Sequence, residues 1–258
     1  MSEKSHIYFA SDLHLGAPSP EESLVREKHF VRWLDHIKHH AAKLFLVGDL
    51  FDFWFEYKHA VPRGYVRMLG KLAELSDAGT EIHVFTGNHD HWFQSYLTEQ
   101  IGATIYREPQ LMTFFGRKYY IAHGDGLGPG DHGYKLLKKV VTAPLSRWLY
   151  ARLHPNSGIG LALWVSSRGG NHDYRDHGEV DHLGEQEFLY QHANQVYSQQ
   201  PDIDCFIFGH RHMLIDDVRE NGLHVVILGD WIQYFSYLQV HEAGEELCAF
   251  PFPSSGGA

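Results

Sequence analysis

Short apolar segments alternate with longer segments of helical periodicity over the first hundred residues. Apolar runs of about five residues are typical of buried strands, and apolar positions that recur every three or four residues indicate amphipathic helices. Their alternation predicts an α/β fold. The predicted strands are His6 to Ala10, Lys43 to Val47 and Glu81 to Thr86, and the predicted helices are Arg26 to His39 and Val66 to Ala78.

After Gln100 the pattern changes to closely spaced strands, and a second strand-rich block follows near the end of the chain. Two packed mixed β-sheets with helices outside would accommodate both blocks. The further predicted strands are Ala103 to Tyr106, Gln110 to Phe115, Lys118 to Ala122, Cys205 to Phe208, His224 to Leu228, Tyr234 to Val240 and Glu246 to Phe250.

The segment between these blocks has helical periodicity, with breaks at Pro144 and Pro155. We predict that residues 132–200 form a helical cap inserted into a core of residues 1–131 and 201–250. Residues 251–258 are rich in Pro, Ser and Gly and are expected to be disordered.

Charge is unevenly distributed along the chain. The net charge is −10, which argues against general nucleic-acid binding because that requires a basic face. From His132 to His172 there is no acidic residue, while this segment has six Lys and Arg side chains. This segment therefore indicates a surface that faces an anion or a membrane.

The two cysteines and the N-terminal residues help to predict the cellular location. Cys205 and Cys248 form no CxxC pair, so neither a disulfide framework nor a thiolate zinc site is expected. Met1 is followed closely by an apolar strand without a signal-peptide pattern, and no apolar run reaches membrane-spanning length. We expect a cytoplasmic protein without a transmembrane helix.

Five apolar runs each end in a turn rich in Asp, Asn and His. Strands that end at one edge of a sheet bring their following turns together, so these turns predict one shared polar site. An isolated Asp-x-His pair is weak evidence, but five such turns in order are strong evidence. The turns are Asp12-Leu13-His14, Gly48-Asp49-Leu50-Phe51-Asp52, Gly87-Asn88-His89-Asp90, His123-Gly124-Asp125 and Gly209-His210-Arg211-His212.

The ligand types select the metal. Carboxylate, imidazole and amide oxygen without thiolate favour Mn²⁺, Fe²⁺, Zn²⁺ or Mg²⁺. Asp49, in a turn that begins with Gly48, is the natural bridge between two ions. Two ions about 3.5 to 4 Å apart can bind a phosphoryl group and lower the pKa of a shared water.

These motifs resemble the calcineurin-like metallophosphoesterase superfamily, whose four-layer αββα fold the resemblance implies. It also implies that His89, oriented by Asp90, stabilises the transition state or protonates the leaving oxygen, with Asp52 contacting the ligands. The alternatives are turn or capping roles for these residues. The implied ligands of one ion are Asp12, His14, Asp49 and His212, and those of the other are Asp49, Asn88, His123 and His210.

Further segments extend the resemblance over nearly the whole chain: Asp12 to Pro18, Gly48 to Trp54, His123 to Leu127, Gly133 to Lys135 and Leu228 to Ile232. With them, the chain is similar to the UDP-2,3-diacylglucosamine pyrophosphohydrolases of lipid A biosynthesis. This resemblance implies in-line attack of a metal-bridging hydroxide on the α-phosphorus, release of UMP and 2,3-diacylglucosamine 1-phosphate, and Mn²⁺ as the usual cofactor. His89 and Asp52 take the general phosphoesterase form, where better-known members have Arg and Glu. Another phosphodiesterase or phosphomonoesterase acting on a nucleotide or lipid phosphate therefore stays open.

The predicted cap combines apolar helical faces with Lys and Arg side chains. Such a surface could cover acyl chains while facing anionic phosphates. The resemblance implies a lipid-linked nucleotide-sugar partner, and together with this surface it leads us to expect peripheral association with the cytoplasmic face of the inner membrane. The alternative is an ordinary helix pair packed on the core. Candidate substrate contacts are Asp125, Asp131, Tyr134 and Lys135.

Overall fold

The computed structural model describes residues 4–128, 132–169 and 187–252. It confirms the α/β class and the two mixed sheets flanked by helices. The strands are β1 His6–Ala10, β2 Ala41–Val47, β3 Glu81–Phe85, β4 Thr104–Tyr106, β5 Gln110–Phe114, β6 Arg117–Ala122, β7 Cys205–Phe208, β8 Leu214–Val218, β9 His224–Leu228, β10 Ser236–His241 and β11 Gly244–Ala249. The helices are α1 Pro20–Ile37, α2 Val66–Asp77, α3 Tyr96–Ile101, α4 His132–Thr142, α5 Pro144–Tyr150, α6 Pro155–Gly169 and α7 Phe188–Gln199.

Both sheets have parallel centres. The first has the order β11-β10-β1-β2-β3-β4. Strands β1 to β4 run parallel to one another, while β10 pairs antiparallel with both β1 and β11. The second has the order β5-β6-β7-β9-β8, in which β6, β7 and β9 are parallel. The carboxyl ends of β1, β2, β3, β6 and β7 thus lie where the five polar turns begin.

Alternation along the strands places one apolar face of each sheet against the other sheet. In β1, Phe9 packs between the sheets, while Tyr8 points to the layer of α1 and α2. On the second sheet, the outer face packs against Leu189, Tyr190 and Ala193 of α7. The predicted cap segment, residues 132–200, therefore includes a helix that packs on a sheet.

Two elements were missed by the sequence pattern. Strand β8 reads Leu-Ile-Asp-Asp-Val and lies at a sheet edge, where acidic residues can face solvent. Helix α3 has six residues, which is too short for a clear periodicity. Helix α1 also starts earlier than predicted, because Ser19 accepts a hydrogen bond from the Glu22 amide at 3.2 Å and caps it.

Helices α4, α5 and α6 lie over the polar edge of the sheets. Tyr150 of α5 packs against Phe53, Phe55 and Trp92 in the loops of that edge. These helices and the turn between α5 and α6 leave many large apolar side chains exposed, and we call this set the apolar surface. It comprises Leu136, Leu137, Val140, Leu145, Trp148, Leu149, Leu153, Leu161, Leu163 and Trp164.

No described helix is long and apolar enough to span a membrane. Two predictions concern residues outside the described ranges: the role of Asp131, and the disorder of the predicted tail 251–258 from residue 253 onwards.

Candidate metal centre

Asp12, His14 and His212 form one cluster at the ends of β1 and β7. Nε2 of His14 is 3.7 Å from Oδ1 of Asp12 and 3.2 Å from Nε2 of His212. Nε2 of His212 is 3.4 Å from the same Asp12 oxygen. Three possible ligand atoms thus converge from two sheets.

Asp49, His123 and His210 form a second cluster, within which one possible ligand atom from each residue lies within 4.8 Å of the others. Nε2 of His123 is 3.2 Å from Oδ2 of Asp49 and 3.4 Å from Oδ1 of Asn88. The structure therefore brings together all seven residues for which the sequence predicts metal ligation.

Asp49 lies between the two clusters. Its Oδ2 is 3.2 Å from Nε2 of His123 and 3.7 Å from Nε2 of His14. Its Oδ1 accepts a hydrogen bond from the His89 amide at 2.9 Å. One oxygen is thus fixed by the backbone, and the other faces histidines of both clusters, as a bridging carboxylate requires.

Glycines before the ligands allow this close packing. A Cβ on Gly87 would lie 2.1 Å from Oδ1 of Asp49, and one on Gly209 would lie 2.7 Å from Oδ2 of Asp12. A Cβ on Gly48 would lie 2.4 Å from Nδ1 of His123. All three distances are far below van der Waals contact, so these positions exclude any side chain.

The backbone is strained at several of the proposed ligands. Positive φ angles are uncommon for residues other than glycine and cost about 1 kcal/mol or more each. Such strain persists only where surrounding contacts enforce it, and it concentrates at functional sites. Positive φ occurs at Asp12 (56°), His14 (42°), Asp49 (52°), His210 (69°) and His212 (47°).

Outer contacts fix two of the histidine rings. Nδ1 of His212 is 3.0 Å from Oδ2 of Asp230, and Nδ1 of His123 is 2.8 Å from the carbonyl oxygen of Val47. Both contacts leave Nε2 for a metal, an arrangement common among metal-bound histidines. Sequence reasoning missed Asp230, although it directly follows the apolar strand β9 and Gly229.

Burial and neighbouring charges shift the pKa values of the central groups. Burial opposes ionisation of Asp49, but the charges of His123 and His89 outweigh it and hold its pKa well below the usual range. Burial likewise opposes protonation of His123, while the charge of Asp49 raises its pKa to about 10. For His210, burial and repulsion by His123 together lower the pKa to about 4.

His89 is held differently from the prediction. Its Nδ1 is 3.0 Å from the main-chain oxygen of Asp52 and 3.4 Å from Oδ1 of Asp52. Burial lowers its pKa, but the charges of Asp49 and Asp52 raise it overall to about 9. Asp52 thus lies behind His89, and Oδ1 of Asp52 is also 3.9 Å from Nδ1 of His14.

Asp90 is fully buried and binds backbone amides. Its carboxylate accepts hydrogen bonds from Gly87 at 2.8 Å and from Leu50 at 2.7 Å. Burial and the charge of Asp49 raise its pKa to about 7. The described contacts therefore give Asp90 the role of joining two ligand turns, whereas Asp52 is the residue that orients His89.

The donor atoms fit divalent cations. Two atoms each about 2.1 Å from one ion and roughly 90 to 110° apart lie about 3.0 to 3.5 Å from each other, close to the distances found here. Oδ1 of Asp12 is buried without a hydrogen-bond partner among the described residues. A cation would satisfy this oxygen, and the nitrogen and oxygen donors suit divalent ions.

Asp125 connects the metal centre to α4. Its carboxylate accepts hydrogen bonds from the Tyr134 hydroxyl at 2.7 Å and from Nζ of Lys138 at 2.6 Å. Nζ of Lys135 binds the carbonyl oxygen of Gly128 at 2.6 Å. Sequence reasoning did not single out Lys138, because nothing local distinguishes it from the neighbouring lysines.

A cavity of about 360 Å³ adjoins the metal centre. His123 and Asp125 lie on one side, and its basic lining residues are Arg107, Lys135, Lys138 and Lys139. The cavity therefore offers positive charge next to a proposed metal ligand.

Comparison with known proteins identifies the family. Residues 5–214 match the calcineurin-like phosphoesterase family. This chain belongs to that family. It is therefore a metal-dependent phosphoesterase, in agreement with the prediction from the five polar turns.

Several curated relatives match along most of their length. The UDP-2,3-diacylglucosamine hydrolase of Porphyromonas gingivalis is 40% identical over 91% of this chain and 93% of its own. The enzyme of that name from Pseudomonas fluorescens is 29% identical, covering 95% of both chains. Among solved structures, the Escherichia coli phosphoesterase YfcE is 15% identical, with a TM-score of 0.46 over 95% of this chain and 92% of its own.

Proposed function

We propose that this phosphoesterase hydrolyses the pyrophosphate bond of UDP-2,3-diacylglucosamine to UMP and 2,3-diacylglucosamine 1-phosphate. The observation that carries the proposal is the apolar surface of α4, α5 and α6, because hydrogen bonds from Tyr134 and Lys138 of α4 to Asp125 hold these helices beside the metal centre. The curated relatives are named for a substrate with both a diphosphate and two acyl chains. Substrates of a nucleotide phosphodiesterase have no part that requires such a surface.

The proposed cofactors are two divalent ions, with Mn²⁺ favoured and Fe²⁺ or Zn²⁺ as alternatives. When bound, such ions polarise phosphoryl oxygens and lower the pKa of water. The proposed ligands of one ion are Asp12, His14, Asp49 and His212, and those of the other are Asp49, Asn88, His123 and His210.

His89 is proposed to contact the phosphate that is attacked. The main-chain oxygen of Asp52 holds its Nδ1, so Nε2 is the ring nitrogen for substrate. The side chain of His89 is 21% exposed, whereas those of His14 and His123 are at most 3% exposed. His89 thus borders the opening, where donation of a hydrogen bond to a phosphoryl or leaving oxygen stabilises developing charge.

The basic cavity beside His123 is proposed to bind the phosphate that is not attacked. Lys138 lies in this cavity and is positioned by Asp125, which Tyr134 also holds. Lys135 lies one helical turn earlier on α4. Two charge-assisted contacts to a diphosphate would fix its orientation relative to the metal centre.

The apolar surface is proposed to bind the acyl chains. Trp148 is 52% exposed, and the guanidinium of Arg152 lies 4.3 Å from the centre of its ring. Apolar side chains beside basic ones suit a ligand with hydrocarbon chains and phosphates. The same surface supports peripheral association with the anionic cytoplasmic face of the inner membrane, where such a substrate would be found.

Substrates of different chain length test this proposal. We expect hydrolysis of UDP-2,3-diacylglucosamine with long acyl chains and much slower hydrolysis of UDP-N-acetylglucosamine. Leu145→Ser with Trp148→Ser should raise KM for the long-chain substrate about tenfold or more, since each buried apolar side chain contributes about 1.5 to 3 kcal/mol.

Val66→Ser is the matched control, because Val66 is 74% exposed on α2. It should leave KM unchanged. Equal rates with long and short substrates, or an unchanged KM in the double variant, would contradict the proposed role of the apolar surface.

A further inference from the structure

Cys205, His224 and Glu245 form a second cluster of metal-ligand types outside the proposed active site. Cys205 and His224 begin the parallel strands β7 and β9, whereas the proposed catalytic ligands follow the carboxyl ends of strands. His210 is five residues beyond Cys205, so roughly 15 Å of strand separates the two sites. Glu245 belongs to β11 in the other sheet.

The three side chains converge in a buried place. One possible ligand atom of each lies within 4.8 Å of the others. Nδ1 of His224 is 3.2 Å from Oε1 of Glu245. Cys205 is fully buried, and the side chains of His224 and Glu245 are 9% and 6% exposed.

Neighbouring groups bind the second polar atom of His224 and of Glu245. Nε2 of His224 is 2.7 Å from Oδ1 of Asp216. Oε2 of Glu245 accepts hydrogen bonds from the guanidinium of Arg117 and, at 3.3 Å, from the hydroxyl of Tyr119. Nδ1 of His224 and Oε1 of Glu245 are thereby left facing Cys205.

The same arrangement occurs at the proposed active site. There Asp230 holds one nitrogen of His212 and leaves the other for a metal. A carboxylate behind a histidine is a common feature of metal sites, because it fixes the ring and its tautomer. Asp216 is placed to do this for His224.

We propose that Cys205, His224 and Glu245 bind one zinc ion, with water as the fourth ligand. Sulfur, nitrogen and carboxylate oxygen are the donors that zinc prefers. On binding, the Cys205 thiol and any imidazolium of His224 release their protons to solvent, while Glu245 binds as the carboxylate. The ion would join β11 of the first sheet to β7 and β9 of the second.

This site differs from the expectation that the two cysteines indicate no thiolate zinc site. Its ligands are 19 and 21 residues apart in sequence and come from two sheets. No short motif could therefore reveal it, since the site exists only through packing of the sheets.

Cobalt substitution tests the proposal separately from the active site. Thiolate bound to Co²⁺ gives an intense near-ultraviolet charge-transfer band, and the proposed catalytic ligands include no thiolate. We expect this band in the wild-type chain loaded with Co²⁺. Zn²⁺ should compete with Co²⁺ and remove the band, with about one equivalent of Zn²⁺ per chain bound at this site. Cys205→Ser should abolish the band and retain phosphoesterase activity.

Cys248→Ser is the matched control, because Cys248 lies on β11 and contacts the main-chain oxygen of Glu246. It should keep the band. Asp49→Asn should also keep it while losing activity, which separates this inference from the proposed function. Absence of the band in the wild type, or its persistence in Cys205→Ser, would show that the cluster is an ion-pair network only.

Discussion

Nδ1 of His212 lies 3.0 Å from Oδ2 of Asp230 and leaves its Nε2 facing Asp12 and His14. The other oxygen of Asp230 accepts hydrogen bonds from the amides of Ile232 and Gln233 at 2.9 and 2.7 Å. Because the backbone fixes this carboxylate, the histidine ring is fixed in turn. Metal affinity should depend on Asp230 although it is not among the proposed ligands.

We therefore predict that Asp230→Asn weakens metal binding about 10- to 100-fold, as losses of such outer contacts commonly do. Activity measured against Mn²⁺ concentration should show a higher half-saturation value and near-normal activity at saturation. Asp202→Asn is the control, since Asp202 forms an exposed ion pair with Lys118. An unchanged metal dependence in Asp230→Asn would contradict the proposed role of this carboxylate.

Gly87→Ala should abolish activity through Asp49. The added Cβ would lie 2.1 Å from Oδ1 of Asp49, so the carboxylate that faces both clusters must move. We expect a loss of at least about 100-fold in kcat, since misplacement by about 1 Å can have an effect of this size.

Gly70→Ala serves as the comparison, because a Cβ on Gly70 in α2 meets nothing within 4 Å. That change should preserve activity and stabilise the helix by about 0.5 to 1 kcal/mol. Near-normal turnover in Gly87→Ala would show that Asp49 does not need its present position.

Lys138→Met should raise KM more than it lowers kcat. The change removes the ion pair with Asp125 and one positive charge from the cavity. A hydrogen bond to a charged group contributes about 1.5 to 3 kcal/mol, which predicts a KM increase of roughly tenfold or more. Lys28→Met is the control, because Lys28 is exposed on α1, and it should change neither KM nor kcat. An unaltered KM in Lys138→Met would exclude Lys138 from substrate binding.

Tyr120 makes stability sensitive to alkaline pH. Burial, with a further contribution from the charge of Glu108, raises the pKa of its hydroxyl to about 12. An unfolded chain ionises tyrosine near pH 10. Between about pH 10 and 12 the unfolded state therefore loses a proton that the folded state keeps, and stability falls as pH rises.

Urea unfolding of wild type and Tyr120→Phe from about pH 8 to 11.5 tests this. Over the alkaline range, the free energy of unfolding should fall by up to about 2 kcal/mol more for the wild type than for the variant. Below about pH 9 the variant should be less stable by roughly 1 kcal/mol, because it lacks the hydrogen bond between the hydroxyl of Tyr120 and Nε2 of His192 at 2.9 Å. If the free energies of unfolding of the two proteins change in parallel with pH, the raised pKa of Tyr120 would be contradicted.

The five polar turns could be predicted because each is local: an apolar strand followed at once by ligand side chains. Asp230 could have been found in the same way, since it follows β9 after a single glycine. The orientation of His89 by Asp52, and not by Asp90, depends on side-chain directions within turns that a sequence pattern does not contain. Lys138 and the cluster at Cys205 depend on packing between elements distant in sequence.

The proposed reaction is hydrolysis of the acylated nucleotide sugar at the proposed metal centre. We would measure release of UMP from UDP-2,3-diacylglucosamine by wild type and Asp49→Asn, with Mn²⁺, in water enriched in the heavy isotope of oxygen. We expect release by the wild type alone, with the heavy oxygen in UMP because the α-phosphorus is attacked. No release by a wild type that still cleaves a nitrophenyl phosphodiester, or equal release by Asp49→Asn, would contradict it.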